Sequence, residues 1–416
     1  MANGKNLRKA KLAKKDEFYT QWSDIEKEMN AYVEYNKSVF RGKTILLPAD
    51  DPFESNFFKF FATKFNEYGL KKLIATSYAP SPIVNTQLTL LPELVPEKEI
   101  EQARDKQITE AYKIELNEVV DENETGTVNI DDVITRLLKE KEVIDSGGTS
   151  SILSYLKGDN NPDGINNFSA GDFRSQEVSK LRDEADIIIT NPPFSLFREF
   201  IDWVNPRKKQ LSVIGNVNSL TYKNIFPLIK DNELWLGESI HSGDREFKVP
   251  DSYPLKSSGW RIDNEGNKYI RVKGVRWFTN INHGRRHQPL SLMTMAENVK
   301  FSKHKEVRGY EYKKYENYEG IEVPYTDAIP SDFHGAMGVP ITFLDKYNPE
   351  QFKILGLGIA NLGLEAGVKP YSPEHKKYRK EVQKRGAVDG DLYMLDKDGI
   401  PNVPYARVLI KKKGGI

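Results

Sequence analysis

A chain of 416 residues with 61 basic and 60 acidic side chains, net charge +1, can bury a large core, and no apolar run is long enough to span a membrane. Cysteine is absent, which excludes disulfides and cysteine-ligated zinc; the six histidines (241, 283, 287, 304, 334 and 375) lack ligand spacing, so no metal is expected. The near-zero balance hides a gradient: residues 91–145 hold 16 acids against 7 bases, and residues 268–416 hold 26 bases against 17 acids. That asymmetry fits a polyanion bound on one side.

The N-terminus carries Lys5, Arg8, Lys9, Lys11, Lys14 and Lys15 without an acid in its first fifteen positions. It lacks the apolar core of a secretory signal, so a cytoplasmic location is expected. After Phe18-Tyr19-Thr20 comes a mixed-charge helix running to about residue 35. Residues 43–48 read as a short buried strand, and the loop at 49–56 leads into a helix with Phe57, Phe58, Phe61 and Phe65 on one face. Residues 70–78 form the second strand. The acidic segment 79–168 is too long for a structureless loop; it reads as an insertion that interrupts the sheet, with a strand within 112–120 and a helix within 130–140. Ala170-Gly171-Asp172-Phe173-Arg174 has the composition of a turn, ahead of a polar helix over 175–182.

Asp186-Ile187-Ile188-Ile189-Thr190 is an apolar β-branched run bounded by an acid, the pattern of a strand buried on both faces of a parallel sheet. Asn191-Pro192-Pro193 stops it, because proline donates nothing to a ladder and fixes φ. Leu196, Phe197, Phe200, Ile201 and Val204 then recur at helical spacing. Strand, rigid turn and helix place Asn191 and Phe194 at the carboxyl end of a strand, where open α/β sheets bind ligands. The turn suits one chemistry in particular. Adenine's exocyclic amine is a poor nucleophile because its lone pair is delocalised into the ring. The Asn191 side-chain oxygen and the Pro192 carbonyl can hold the two amine hydrogens and free that lone pair, while the prolines keep the arrangement rigid. Phe194 supplies a flat face for an unstacked base.

Three more strands are expected at 210–215, 234–237 and 274–281, the last two closing the sheet; Trp277 and Phe278 face either a flipped base or, as strand aromatics usually do, the core. From about residue 285 basic residues interleave with aromatics, which suits nucleic acid and makes Arg285, Arg286, Lys303, Lys305 and Arg308 candidate phosphate neighbours.

The Asn-Pro-Pro-Phe turn resembles the motif of amino-group methyltransferases that use S-adenosylmethionine. The stretch from Asp186 to Phe200 is similar to the EcoRI-type adenine-specific DNA methyltransferases. So are residues 16–21, 50–59, 215–219 and 338–344; the likeness fades over 79–168 and the last sixty or so residues. It implies an α/β fold: a mostly parallel, Rossmann-like class I methyltransferase sheet with a reversed last hairpin. The catalytic domain would cover 1–284, with the insertion at 79–168, and a target-recognition region 285–416.

The resemblance further implies S-adenosylmethionine as methyl donor. Phe18, Tyr19 and Thr20 would lie against its methionine end, Asp51, Pro52, Ser55 and Asn56 would contact its amino-acid moiety, and Asp172 and Phe173 would hold its adenine. Two departures stand out: no glycine in the 49–56 loop, and Ser77-Tyr78 where most relatives carry a ribose-binding acid. The implied reaction is methylation of adenine N6 in double-stranded DNA after base flipping, by a monomer, within a restriction–modification setting where a cognate endonuclease would share the site without binding. The alternatives are an RNA adenine-N6 methyltransferase and a DNA-binding protein with a vestigial methyltransferase core.

Overall fold

Short β-branched stretches flanked by Gly, Pro and Asn set the strands of this protein, and amphipathic stretches between them set the helices. A computed structural model describes residues 20–48, 50–53, 55–78, 111–123, 126, 128–161, 167–241, 244–249 and 259–414. Two compact units result: Met1–Ser219 with Gly237–His283, and Leu220–Leu236 with Gly284–Ile416. Among the described residues no helix is long and apolar enough to cross a membrane.

In the first unit the strands are β1 (Thr44–Leu47), β2 (Lys72–Thr76), β3 (Tyr112–Leu116), β4 (Leu153–Tyr155), β5 (Ile187–Thr190) and β6 (Gln210–Asn216). Beyond them come β7 (Asp244–Val249), β8 (Trp260–Ile262), β9 (Lys268–Lys273) and β10 (Val275–Thr279). The main sheet runs β4-β3-β2-β1-β5-β6-β10 within this unit. Only the centre is parallel: β2 with β1, β1 with β5, and β5 with β6. The pairs β2–β3, β3–β4 and β6–β10 are antiparallel, so the sheet is mixed rather than mostly parallel. The reason lies in the 79–168 segment. Instead of interrupting the sheet, its strands β3 and β4 extend it from the edge of β2, and the alternating burial of β3 shows it half-covered. A further departure is the separate antiparallel sheet β7-β9-β8, inserted ahead of β10.

Helices cover both faces. The helix α1 (Trp22–Tyr35) contributes Ile25, Met29 and Tyr32, and α2 (Asn56–Thr63) contributes Phe57, Phe58, Phe60 and Phe61, to a cluster that includes Ile187 and Ile189 of β5. Val133 and Leu137 of α3 (Ile130–Asp145) join the same cluster. Trp277 is fully buried there, its ring 6.0 Å edge-on from Phe57; it is core, not a base-facing aromatic. Burial of such rings contributes about 1.5–3 kcal/mol each. Alternation sends Phe278 to the opposite face, where Phe197 of α5 (Phe197–Val204) lies 5.0 Å away. Gly215 makes this possible: a Cβ there would come within 2.5 Å of Phe197 and 2.9 Å of Phe278. The polar helix over Gln176–Glu184, α4, is capped by Ser175, whose hydroxyl accepts from Val178 N–H.

The second unit holds a four-stranded sheet in the order Gly320–Glu322, Ala336–Pro340, Arg407–Lys412, Phe352–Leu357. Its interior carries a charged knot: Arg407 donates Nε and Nη2 to Glu322 at 2.9 and 2.6 Å, and the Tyr315 hydroxyl also reaches Glu322. Gly338 leaves the room, since a Cβ there would stand 2.0 Å from that hydroxyl. Leu220–Leu236 packs with this unit, for which the sequence offers no sign.

Candidate active site

The parallel strands β1 and β5 are neighbours, so the loops leaving their carboxyl ends start side by side. A hydrogen bond locks the two ends together: Thr190 Oγ1 donates to the Pro48 carbonyl at 3.1 Å. From β5 the chain enters the turn with Asn191 half-buried, Pro192 buried, and Pro193 and Phe194 half-buried. Pro193 is extended, and Leu196 N–H closes onto its carbonyl at 2.9 Å to form one 3₁₀ turn over Phe194–Leu196. The α-helix therefore begins at Phe197, one residue after the apolar spacing starts at Leu196. Phe194 packs one side against the main core and keeps part of its surface open.

The loop leaving β1 achieves its shape without glycine. Ser55 N–H donates to the Asp51 carbonyl at 2.7 Å and Phe53 N–H to Asp51 Oδ1 at 2.9 Å. The Tyr112 hydroxyl, reaching in from β3, bonds both Asp51 carboxylate oxygens at 2.9 and 2.8 Å. Ser55 Oγ donates to Asp50 and accepts from Phe57 and Phe58 N–H, capping α2. Asn56 Nδ2 donates to the Thr20 carbonyl at 2.8 Å, which joins the segment before α1 to this loop. Thr20 Oγ1 is buried with no hydrogen-bond partner among the described residues. Thr20, Asp51, Pro52, Ser55 and Asn56 thus come together, with Asp51, Ser55 and Asn56 also shaping the loop. Phe18 and Tyr19 lie outside the described residues.

The Asp172 turn packs on the end of β2. Gly171 has φ +77° and a Cβ there would meet the Ser77 carbonyl oxygen at 1.9 Å, so only glycine fits. Asp172 is nearly buried; its oxygens accept Arg174 Nε and Nη2 at 2.9 and 2.8 Å, and Arg174 Nη1 continues to Glu199 of α5 at 3.0 Å. One correction follows. Phe173 is buried against Phe200 and Trp203, ring centroids 5.2 and 5.4 Å away, so it plugs the core instead of offering a stacking face.

A buried carboxylate escaped the sequence reading. Glu28 of α1 has no exposed surface; it accepts from the Tyr32 hydroxyl at 2.7 Å, from Glu238 and Ser239 N–H at 3.0 and 2.7 Å, and from Ser239 Oγ at 2.6 Å. Ser212 of β6 bonds the Tyr32 hydroxyl at 2.9 Å. Burial, with Glu28 adding to it, pushes the Tyr32 phenol well above its ordinary pKa and keeps it a donor. Gly237 is the trace of this in the sequence, since a Cβ there would lie 2.0 Å from Glu28 Oε1.

The basic candidates of the second unit divide. Lys303, Lys305 and Arg308 are exposed, Lys303 with an ion pair to Asp327 at 2.7 Å. Arg285 is half-buried, and its Nε donates to the Asp345 carbonyl at 3.1 Å. Arg286 is buried, bonded to Asn232 and lying 3.5 Å over the Trp235 ring. It serves packing, not phosphate contact.

The family of adenine-specific methyltransferase EcoRI matches residues 6–413. The chain belongs to that family. The type II methyltransferase M.EcoRI of Escherichia coli is 36% identical over 412 residues, 99% of this chain and 98% of the relative. M.MpnI of Mycoplasma pneumoniae is 29% identical, covering 83% of this chain and 84% of its own. M.MgeORF184P of Mycoplasma genitalium is 31% identical, with 84% and 85% covered. No solved structure matches the chain with significance. Membership in the EcoRI adenine-specific methyltransferase family implies a methyl donor, and the match extends across 79–168 and into the C-terminal residues, where the sequence likeness had faded.

Proposed function

We propose that this protein is a site-specific DNA methyltransferase that moves a methyl group from S-adenosylmethionine to N6 of an adenine flipped out of duplex DNA. The observation that carries the reading is the Asn191–Phe194 turn at the carboxyl end of β5, tied through Thr190 to the end of β1. Asn191 Oδ1 and the Pro192 carbonyl hold the amine hydrogens, so the nitrogen lone pair points at the incoming methyl. Phe194 stacks the flipped base on its open side. The amine proton leaves after transfer, with no covalent enzyme intermediate.

S-adenosylmethionine supplies an electrophilic methyl on a sulfonium, and the residues suit it. Thr20, with a buried hydroxyl lacking a partner among the described residues, borders the loop where Asp51, Pro52 and Asn56 would take the methionine end. Asp172 retains lone-pair capacity beyond its bonds to Arg174 for an adenine amine. In this reading the central sheet is the Rossmann-like class I methyltransferase sheet, residues 1–284 hold the catalytic domain, and 285–416 carry target recognition with Arg285, Lys303, Lys305 and Arg308 toward phosphates. The enzyme acts as a monomer in the cytoplasm.

Methyl transfer from labelled S-adenosylmethionine to duplex DNA and to RNA of matched sequence, with the product nucleoside identified by mass spectrometry, tests it. N6-methyldeoxyadenosine from DNA alone is expected. Label in RNA alone would move the assignment to the RNA alternative, and no S-adenosylmethionine binding would favour a vestigial core.

A further inference from the structure

The antiparallel sheet β7-β9-β8 is unused by the chemistry described above, and its place and charge give it a role. Its last strand leads through Gly274, at φ +69°, directly into β10, whose first residue Val275 pairs with Asn216, the carboxyl-terminal residue of β6. Asn216 Nδ2 donates to the Lys273 carbonyl at 2.9 Å and Val217 N–H to the Gly274 carbonyl at 2.7 Å. Because β6 runs parallel to β5, this junction lies on the same rim as Asn191. The small sheet thus rises from the edge where the base must enter.

Its two faces differ. Phe247, Val249 and Ile270 face the core and are buried. The outward positions carry Lys248, Arg261, Arg271 and Lys273 against Asp244 and Glu246. Arg261 and Arg271 expose about half of their side chains, 49% and 55%. Arg261 lies 4.2 Å over the Tyr269 ring and is ion-paired to Glu246 at 2.9 Å, as Arg271 is at 3.6 Å, so Glu246 orients both guanidiniums and offsets part of their charge. Six paired positions, Lys268 to Lys273, span about 20 Å, the length of roughly six phosphates of one duplex strand.

We infer that this outward face binds the phosphate backbone of duplex DNA flanking the flipped adenine, a second contact surface inside the catalytic unit in addition to the basic residues after 284. The inference rests on the DNA-methyltransferase reading and adds to it the surface that holds the duplex against the rim. Phosphate contacts fix register and orientation without reading sequence, so the face would act on every DNA the enzyme meets.

The test is DNA affinity as a function of salt, by fluorescence anisotropy on a 30-base-pair duplex from 50 to 200 mM NaCl. The triple variant Lys248→Gln, Arg271→Gln, Lys273→Gln should flatten the slope of log K against log salt by about 0.9 for each contact removed. At 150 mM it should bind about tenfold or more weakly, with thermal unfolding and S-adenosylmethionine affinity as in the parent. Glu246→Gln removes an acid from the same face and should tighten binding and steepen the slope. Parent-like slope and affinity in both variants, with a parent that binds and methylates DNA, would overturn the inference alone. A parent that binds no DNA would overturn the function and the inference together. If the triple variant is misfolded, the direction of the Glu246→Gln change decides.

Discussion

In the proposed reaction Asn191 and Phe194 carry the chemistry, and each has a distinct signature. Asn191→Ala removes one of two acceptors for the amine, and the loss of a preorganised polar contact of this kind costs about a hundredfold or more in turnover. DNA binding, which depends on phosphate contacts elsewhere, should stay near the parent value; the pair of measurements is single-turnover methyl transfer and anisotropy. Phe194→Ala should instead weaken the flipped state by about 1–3 kcal/mol, the worth of one base–aromatic stack, while Phe194→Trp keeps most of it. A 2-aminopurine placed at the target position reports flipping directly. The strand and the turn that ends it were legible in the sequence because their signal is local: a β-branched run, two prolines and an aromatic in nine consecutive positions. Phe173 was misread for the opposite reason. Its partners Phe200 and Trp203 lie about thirty positions away on α5, and a Gly-Asp-Phe turn looks the same whether its ring plugs a core or faces a ligand.

Among the elements, the strand β3 changes the view of the acidic segment 79–168 that contains it. Its Tyr112 hydroxyl bonds both oxygens of Asp51 and so braces the loop that leaves β1. Hydrogen bonds to a charged partner are worth about 1.5–3 kcal/mol. Tyr112→Phe should therefore lower the unfolding temperature by a few degrees and raise the dissociation constant for S-adenosylmethionine roughly tenfold or more by calorimetry; an unchanged constant would detach β3 from the site. The helix α1 makes a complementary case. Glu28→Ala would strand the Glu238 and Ser239 N–H groups and leave the Tyr32 hydroxyl only Ser212 as a partner, and about 3 kcal/mol or more of stability should be lost in denaturant unfolding. Strand and helix positions were largely readable from apolar spacing. What was not readable is which strand pairs with which: β3 joins β2 across a segment of more than thirty residues, and Glu28 meets Ser239 across 211 positions. Pairing and buried polar networks are long-range facts, and composition carries no trace of them beyond an occasional obligatory glycine such as Gly237.

For the molecule as a whole, the parts agree on one account. The family covers residues 6–413, the relatives cover most of their own length, and the two motif loops leave adjacent strand ends. A net charge of +1 with an acidic segment early and basic surfaces later also predicts DNA affinity that falls steeply with salt although the protein is nearly neutral. Long-read single-molecule sequencing of DNA from a methylation-free host expressing this chain, beside an Asn191→Ala control, is the most direct test of the central claim. The account predicts N6-methyladenine at one short recurring sequence with the parent chain and none with the control. Unmodified DNA from well-expressed, folded parent protein, or equal modification by the control, would contradict it.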